Sequence, residues 1–237
     1  MLEFRAIDGQ VSIPLHQKST LIVNKSKGVI IDGDARQCRW IYNFLDAPVG
    51  RWLHGLYNCP GIWSVGQDAK VTISSNNGKK LIHCYLPQSS KIAINLAYLV
   101  AFSKSVRIKT YGNFSAPAFA SDLNIISVFE GPGDIVLETS GNHVHQGKGT
   151  PRFSPQALVE GTPRFSPGAL VAWDPSIQFR LDNVDSVTDL YANAVRMSFL
   201  VDSKNKDLII DNGFDAIRSV GINGFLKQAF SWIVPRI

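Results

Sequence analysis

The chain has 237 residues, of which 45% are hydrophobic and 18% are charged, and its formal net charge is +5 at pH 7. The charged fraction is below the roughly 25% usual for soluble domains, and the hydrophobic fraction is enough for a large core, so a disordered chain is excluded. The length suits one all-β domain covering 1–237. No apolar run reaches the roughly 20 residues that a membrane-spanning helix needs, so no transmembrane segment is predicted.

The cysteines predict a reducing compartment. Cys38, Cys59 and Cys84 are three in number, and their spacings match neither a disulfide framework nor a CxxC metal pair. The first ten residues contain acidic side chains and no apolar segment, so we expect neither a signal peptide nor an ordinary mitochondrial presequence.

The first 63 residues divide into two parts. Residues 3–35 alternate between apolar and polar side chains and are interrupted by glycine and proline, which predicts short antiparallel strands. Residues 36–63 instead crowd tryptophan, tyrosine and arginine together, and we interpret them as a loop-rich insertion with a helical turn. Such a composition suits a lid over the core or a protein interface, for which Trp40 and Trp52 are the candidate residues.

The next region is strand-like and basic. Between 69 and 121 there are seven basic residues and no acidic one, and acidic residues follow from 122 to 138. In the segment SVRIKTY, Arg107 and Lys109 share one face of the strand. With Lys79 and Lys80 they form a candidate surface for an anionic partner such as RNA or acidic lipid, and the alternative is a solvated face.

A short segment is duplicated in tandem. Residues 149–160, GTPRFSPQALVE, recur at 161–172 as GTPRFSPGALVA. Only the second copy has the glycine that a Pro-Gly type II turn favours, at Gly168, and the alanine that an apolar run needs, at Ala172. We therefore predict that the second copy belongs to the sheet and that the first is a loop or an added edge strand.

A longer repeat organises the chain. Leu99–Ile108, LVAFSKSVRI, matches Leu170–Phe179, LVAWDPSIQF, at a separation of 71 residues, and each predicts a strand, a tight turn and a second strand. A fainter third copy covers 15–31. The pseudo-repeats near 10–35, 80–111 and 161–182 predict a repeated β-sandwich or β-prism whose copies pack together around Phe102 and Trp173.

The last segment changes its period. Between 213 and 234 the apolar residues recur at helical spacing and end at Pro235, which predicts a C-terminal helix. Such a helix would cover an edge of the β body. Phe225 and Trp232 also make it a candidate interface with a membrane surface or another subunit.

No catalytic motif or cofactor site is predicted. His143 and His145 form an HxH pair similar to that of cupins, whose fold is a double-stranded β-helix, but no glutamate follows at the required distance. A cupin-like metal protein is therefore the weakest alternative. His83 lies in an apolar strand, where we expect a hydrogen-bonded core histidine. No serine, cysteine or threonine lies in a nucleophile motif, so we expect a protein that is not an enzyme.

One family resemblance follows from these residues. GPGDIVLETSG, then SPGALVAWDPSIQFRL, with the earlier LVAFSKSVRI, resembles the family named Altered Inheritance of Mitochondria protein twenty-four. That family is similar in fold to the trp RNA-binding attenuation protein. The resemblance covers about 80–182 well and the N-terminal third weakly. It implies a repeated, double-stranded β-helix-like sandwich or prism, no catalytic residues and, in eukaryotes, a role in mitochondrial inner-membrane organisation.

Two functions from different classes remain open. The first is a non-catalytic structural protein that works with protein partners or as a homo-oligomer. It would be mitochondrial in a eukaryote and cytoplasmic otherwise. The second is an RNA-binding module or ribonucleoprotein subunit that uses the basic face.

Overall fold

The structure, a computed structural model, covers the strands of the body together with some of the short connections between them. It describes residues 2–16, 19–24, 28–32, 35–41, 60–64, 69–75, 79–113, 125–139, 144–146, 152–153, 164–165, 169–181, 199–202 and 206–211. The predicted C-terminal helix at 213–234 lies outside these residues.

The described residues form β-strands and one short 3-10 helix, Leu96–Tyr98, so the all-β prediction is confirmed. The strands are β1 (Phe4–Asp8), β2 (Gln10–Leu15), β3 (Thr20–Val23), β4 (Gly28–Asp32), β5 (Ala35–Ile41), β6 (Pro60–Ser64), β7 (Ala69–Ser74), β8 (Lys80–Leu86), β9 (Lys91–Ile94), β10 (Leu99–Ser103), β11 (Arg107–Gly112), β12 (Ile125–Glu130), β13 (Gly133–Thr139), β14 (Val144–Gln146), β15 (Arg152–Phe153), β16 (Arg164–Phe165), β17 (Leu170–Trp173), β18 (Gln178–Leu181), β19 (Phe199–Asp202) and β20 (Leu208–Asp211).

These strands make four sheets in the described part of the chain. A seven-stranded sheet has the order β1-β8-β13-β10-β3-β6-β5, and a six-stranded sheet has the order β11-β12-β9-β17-β20-β14. A four-stranded sheet, β16-β15-β19-β18, and a three-stranded sheet, β2-β7-β4, complete the body. Neighbouring described strands are antiparallel, except that β15 and β16 are parallel.

The pairing repeats in three similar units of six strands. Within each unit the sixth strand lies between the first and third, and the fifth lies between the second and fourth. The units are β2 to β7, then β8 to β13, and finally β14, β15 and β17 to β20. Two described strands lie outside this pattern: β1, which pairs with β8, and β16, which pairs with β15. The repeated strand pairing therefore extends beyond the segments whose sequences match.

Two seams join the units, and each seam pairs the third strand of one unit with the second strand of the preceding unit. In the first, β10 pairs with β3, with Ala101 opposite Val23. In the second, β17 pairs with β9, with Ala172 opposite Ile94. Both residues of the second pair lie 71 positions after their counterparts in the first, so the two seams have the same register.

Three apolar cores lie between the sheets. One lies between the three- and seven-stranded sheets, a second between the seven- and six-stranded sheets, and a third between the six- and four-stranded sheets. Strands shared between cores are buried on both faces. In β3, Leu21 and Val23 belong to the first core, and Ile22 between them belongs to the second. This explains why such strands are continuous apolar runs.

The two matching segments have the same local structure. After β10 the Val106 N–H donates to the Ser103 carbonyl at 3.0 Å, and after β17 the Ile177 N–H donates to the Asp174 carbonyl at 3.0 Å. Asp174 closes its turn further, because its Oδ1 accepts from the Ser176 N–H at 2.8 Å. Each segment is therefore a strand, a tight turn and a second strand, as predicted.

Phe102 and Trp173 do not share one core, and that prediction is wrong. Phe102 belongs to the core between the seven- and six-stranded sheets and makes an edge-to-face contact with Phe129, with ring centroids 5.7 Å apart. Trp173 belongs to the core between the six- and four-stranded sheets and contacts Phe179 in the same way at 5.9 Å. Both aromatics are buried, each in a different core.

The predicted insertion at 36–63 is wrong at its two ends. Residues 35–41 form β5 and residues 60–64 form β6, and these strands pair with each other as the fourth and fifth strands of the first unit. Residues 42–59 lie outside the described part of the chain. The repeat therefore continues through a segment whose composition does not suggest strands.

The duplicated segments divide their roles in an unexpected way. Ala169–Ala172 of the second copy is buried, as predicted, and Leu170 begins β17. However, Arg152–Phe153 of the first copy lies inside the four-stranded sheet, between β19 and β16, and Arg164–Phe165 of the second copy is at the edge. The prediction that the first copy is a loop or an edge strand is therefore wrong for these two residues.

Candidate binding surfaces

The predicted basic residues lie in two places. Lys79 and Lys80 are at the start of β8 in the seven-stranded sheet, and Arg107 and Lys109 are on β11, an edge strand of the six-stranded sheet. The structure therefore does not combine these four residues on one strand or one sheet.

Acidic side chains accompany both pairs. Lys79 Nζ lies 3.6 Å from Glu138 Oε2, and the Glu138 side chain is only 3% exposed. Lys80 Nζ lies 3.5 Å from Asp8 Oδ1, on the neighbouring strand β1. Part of the positive charge predicted for this region is therefore balanced by carboxylates that are distant in sequence.

On β11 the carboxylate is Glu130, at the end of β12. Lys109 Nζ lies 2.9 Å from Glu130 Oε2, and Arg107 is opposite Glu130 in the strand register. On the other side of β12, Lys91 is also opposite Glu130, a neighbour that the sequence analysis did not include. Three basic residues thus surround one carboxylate at this end of the sheet.

The electrostatics of this cluster follow from its geometry. The contact with Lys109 lowers the pKa of Glu130, burial opposes that effect, and Lys91 and Arg107 lower it further. The same contact raises the pKa of Lys109. Because the cluster has three basic residues and one acidic residue, its formal charge is positive.

His83 takes part in a polar cluster on the seven-stranded sheet. Its Nε2 lies 2.9 Å from Asp134 Oδ1, while Asp134 Oδ2 accepts from Ser103 Oγ at 3.3 Å. The Asp134 N–H in turn donates to Ser103 Oγ at 3.0 Å. His83 is hydrogen-bonded as predicted, but its side chain is 27% exposed and so not fully in the core.

The order of these three groups matters for their chemistry. The carboxylate of Asp134 lies between the imidazole and the hydroxyl, so both His83 and Ser103 are hydrogen-bonded to Asp134. A serine nucleophile needs a base on its own hydroxyl. The cluster instead links β8, β13 and β10, three adjacent strands of one sheet.

Cys84 lies in the core next to this cluster. Burial raises the pKa of its thiol to about 12, and the carboxylates of Asp207 and Asp134 contribute to the increase. Since the thiolate is the reactive form, Cys84 has the properties of a packing residue. Burial and the nearby Asp211 also raise the pKa of Tyr98.

The other predicted site residues are only partly described. Trp40 lies in β5, but its side chain is outside the described structure, as are Trp52, Phe225 and Trp232. His145 is in β14, with its backbone opposite Ile210, and His143 is outside the described residues. Within the described ranges, no group of three or more His, Cys, Asp or Glu side chains is placed to hold a metal ion.

Comparison with known proteins gives information about the fold. No family model and no curated protein matches the chain. A crystal structure of a Streptococcus pyogenes protein, solved by the Northeast Structural Genomics Consortium, is similar with a TM-score of 0.56 and 12% sequence identity. The alignment covers 97% of this chain and 100% of that one. At this level of identity, the similarity indicates a shared fold alone.

Within the described residues, no helix has both the length and the apolar character that crossing a bilayer requires.

Proposed function

We propose that the protein is a non-catalytic structural protein that acts by assembly with other protein chains or with copies of itself. The supporting observation is where its exposed apolar side chains lie. Among the described residues the large hydrophobic side chains with high exposure are Ile30, Tyr85 and Tyr111, each at least 51% exposed. Ile30 and Tyr111 lie on β4 and β11, which are edge strands.

Edge strands explain why this distribution favours assembly. A strand at the edge of a sheet presents unpaired backbone N–H and C=O groups, and these pair readily with another chain. Ile30 is the middle residue of the edge strand β4 and is 51% exposed. Polar clusters elsewhere in the described structure link neighbouring strands, as His83 and Asp134 do.

The resemblance to the Altered Inheritance of Mitochondria protein twenty-four family makes the proposal more specific. If the chain is a member, its assembly belongs to a mitochondrial or membrane-associated complex in a eukaryote and to a cytoplasmic one otherwise. The proposed membership depends on the segments GPGDIVLETSG and SPGALVAWDPSIQFRL, with the earlier LVAFSKSVRI. Immunogold labelling or fractionation of the source cells would test the compartment.

The assembly proposal is tested by measuring mass. Multi-angle light scattering of the purified chain across a wide concentration range should give a multiple of 26.1 kDa, or cross-linking in the source cells should give an identified protein partner. A monomer at every concentration, together with no cross-linked partner, would contradict it.

A second candidate function is binding of an anionic polymer such as RNA. The observation that favours it is the cluster of Lys91, Arg107 and Lys109 around the single carboxylate of Glu130. Binding through such a cluster must weaken as salt rises, because it releases counterions from the polymer. Fluorescence anisotropy with single-stranded RNA at several salt concentrations would test it, and affinity that does not change with salt would exclude it.

A further inference from the structure

The β4 edge differs from its counterparts in the other two units. In those units the third strand is covered, since β10 pairs with β3 and β17 pairs with β9. β4 is the third strand of the first unit, and β7 is its single partner among the described strands. If the seam rule continued from the first unit back to the third, β4 would pair with β15, the second strand of the third unit. That edge of β15 is already paired with β16.

The sequence of this edge is unusually apolar. β4 reads Gly-Val-Ile-Ile-Asp and contains no lysine or arginine. Ile30, its middle residue, is 51% exposed. It is opposite Thr72 in the register, and Thr72 in turn forms a hydroxyl hydrogen bond of 3.1 Å with Ser12. Proteins commonly protect edge strands with charged side chains, most often lysine. β4 has no lysine or arginine, and its one charged residue is Asp32 at its end.

We propose that the β4 edge binds the β4 edge of a second copy of this chain, in an antiparallel pair across a two-fold axis. This inference deepens the assembly function proposed above. Full overlap of a five-residue strand with its symmetry mate places the axis at Ile30, so that Ile30 is opposite Ile30. Gly28 is then opposite Asp32, and no like charges lie directly opposite each other.

Three properties of the molecule favour this occupant. Two-fold symmetric dimers are the commonest oligomers, and an apolar strand with no opposed like charges is self-complementary. The pairing would join two three-stranded sheets into one of six strands, the size of the sheet formed by β11, β12, β9, β17, β20 and β14. It would also place the exposed Ile30 side chain against an identical side chain.

The test uses opposite charges at one position. Because Ile30 is half exposed, Ile30→Lys, Ile30→Glu and the uncharged control Ile30→Thr should fold as the wild type does, which circular dichroism and thermal melting can verify. Each charged variant alone places like charges opposite each other and should raise the dimer dissociation constant by about two- to fivefold. An equimolar mixture of the Lys and Glu variants should recover the dimer.

Analytical ultracentrifugation separates the outcomes. A wild-type dimer, weakened in both charged variants and restored in their mixture, supports the β4 pair. A wild-type dimer that neither charge weakens forms through another surface, which overturns this inference and leaves the assembly function in place. A wild-type monomer at high concentration also overturns it, and the assembly function then depends on the search for a different protein partner.

Discussion

Replacing Trp173 by alanine is the clearest test of the core that the third unit builds. The Trp173 side chain is 1% exposed, and its ring makes an edge-to-face contact with Phe179. Truncating a buried tryptophan costs about 3–5 kcal/mol, of which an aromatic pair supplies about 0.5–1.5 kcal/mol. For a chain of this size, such a loss lowers the melting temperature by about 6–20 °C.

The assay is urea unfolding followed by far-ultraviolet circular dichroism, which does not depend on the tryptophan being replaced. Phe102→Ala, at the equivalent position of the second unit, should cost a similar free energy of unfolding, because Phe102 is also buried and paired with an aromatic ring. Tyr85→Ala is the control, since its side chain is 54% exposed and its loss should change stability by less than about 0.5 kcal/mol. A loss below about 1 kcal/mol for Trp173→Ala would refute the proposed core.

Three further predictions concern the duplication, the buried thiol and the basic cluster. Deleting 149–160 should leave a folded protein, because 161–172 supplies the same strand and an intact apolar run. Deleting 161–172 instead puts Glu160 in the buried position of Ala172 and should sharply lower the melting temperature. In a variant whose only cysteine is Cys84, labelling by a thiol reagent at pH 8 should be slow in the native state and fast in urea; rapid native labelling would contradict its burial. Glu130→Gln should strengthen any binding of single-stranded RNA and steepen its salt dependence, and unchanged binding would exclude the cluster as the site.

The pH dependence of the Glu130 pair has a definite sign. Because the folded-state pKa of Glu130 is lowered, its contribution to stability is present above the ordinary carboxyl pKa and is lost as the pH falls through the lowered value. The contribution should be small, since Lys109 is half exposed and water screens the pair.

The strands and turns could be predicted because their signals are local. The segments at 99–108 and 170–179 each show a two-residue period interrupted by turn residues, and both form the predicted strand and turn. The number of cores could not be predicted in this way. Periodicity indicates which side chains are buried, but Leu21 and Ile22 are buried in different cores, and this depends on which sheets pack together.

The charge of the candidate basic surface also could not be predicted from the sequence pattern alone. In sequence, the basic stretch at 69–121 is separate from the acidic residues that follow it. The antiparallel pairing of β8 with β13 and of β11 with β12 folds the second stretch back onto the first, so that Glu138 meets Lys79 and Glu130 meets Lys109. Charge that is segregated along the chain is therefore partly neutralised in the fold, and only the strand register reveals it.

Amide hydrogen exchange across the two seams tests the three-unit architecture most directly. β3, β9, β10 and β17 are interior strands with partners on both sides. Their amides should therefore exchange slowly and as one cooperative group, more slowly than those of the edge strand β11. Fast exchange in β9 and β17, at the rate of β11, would show that the second seam does not hold and would contradict the joining of the units.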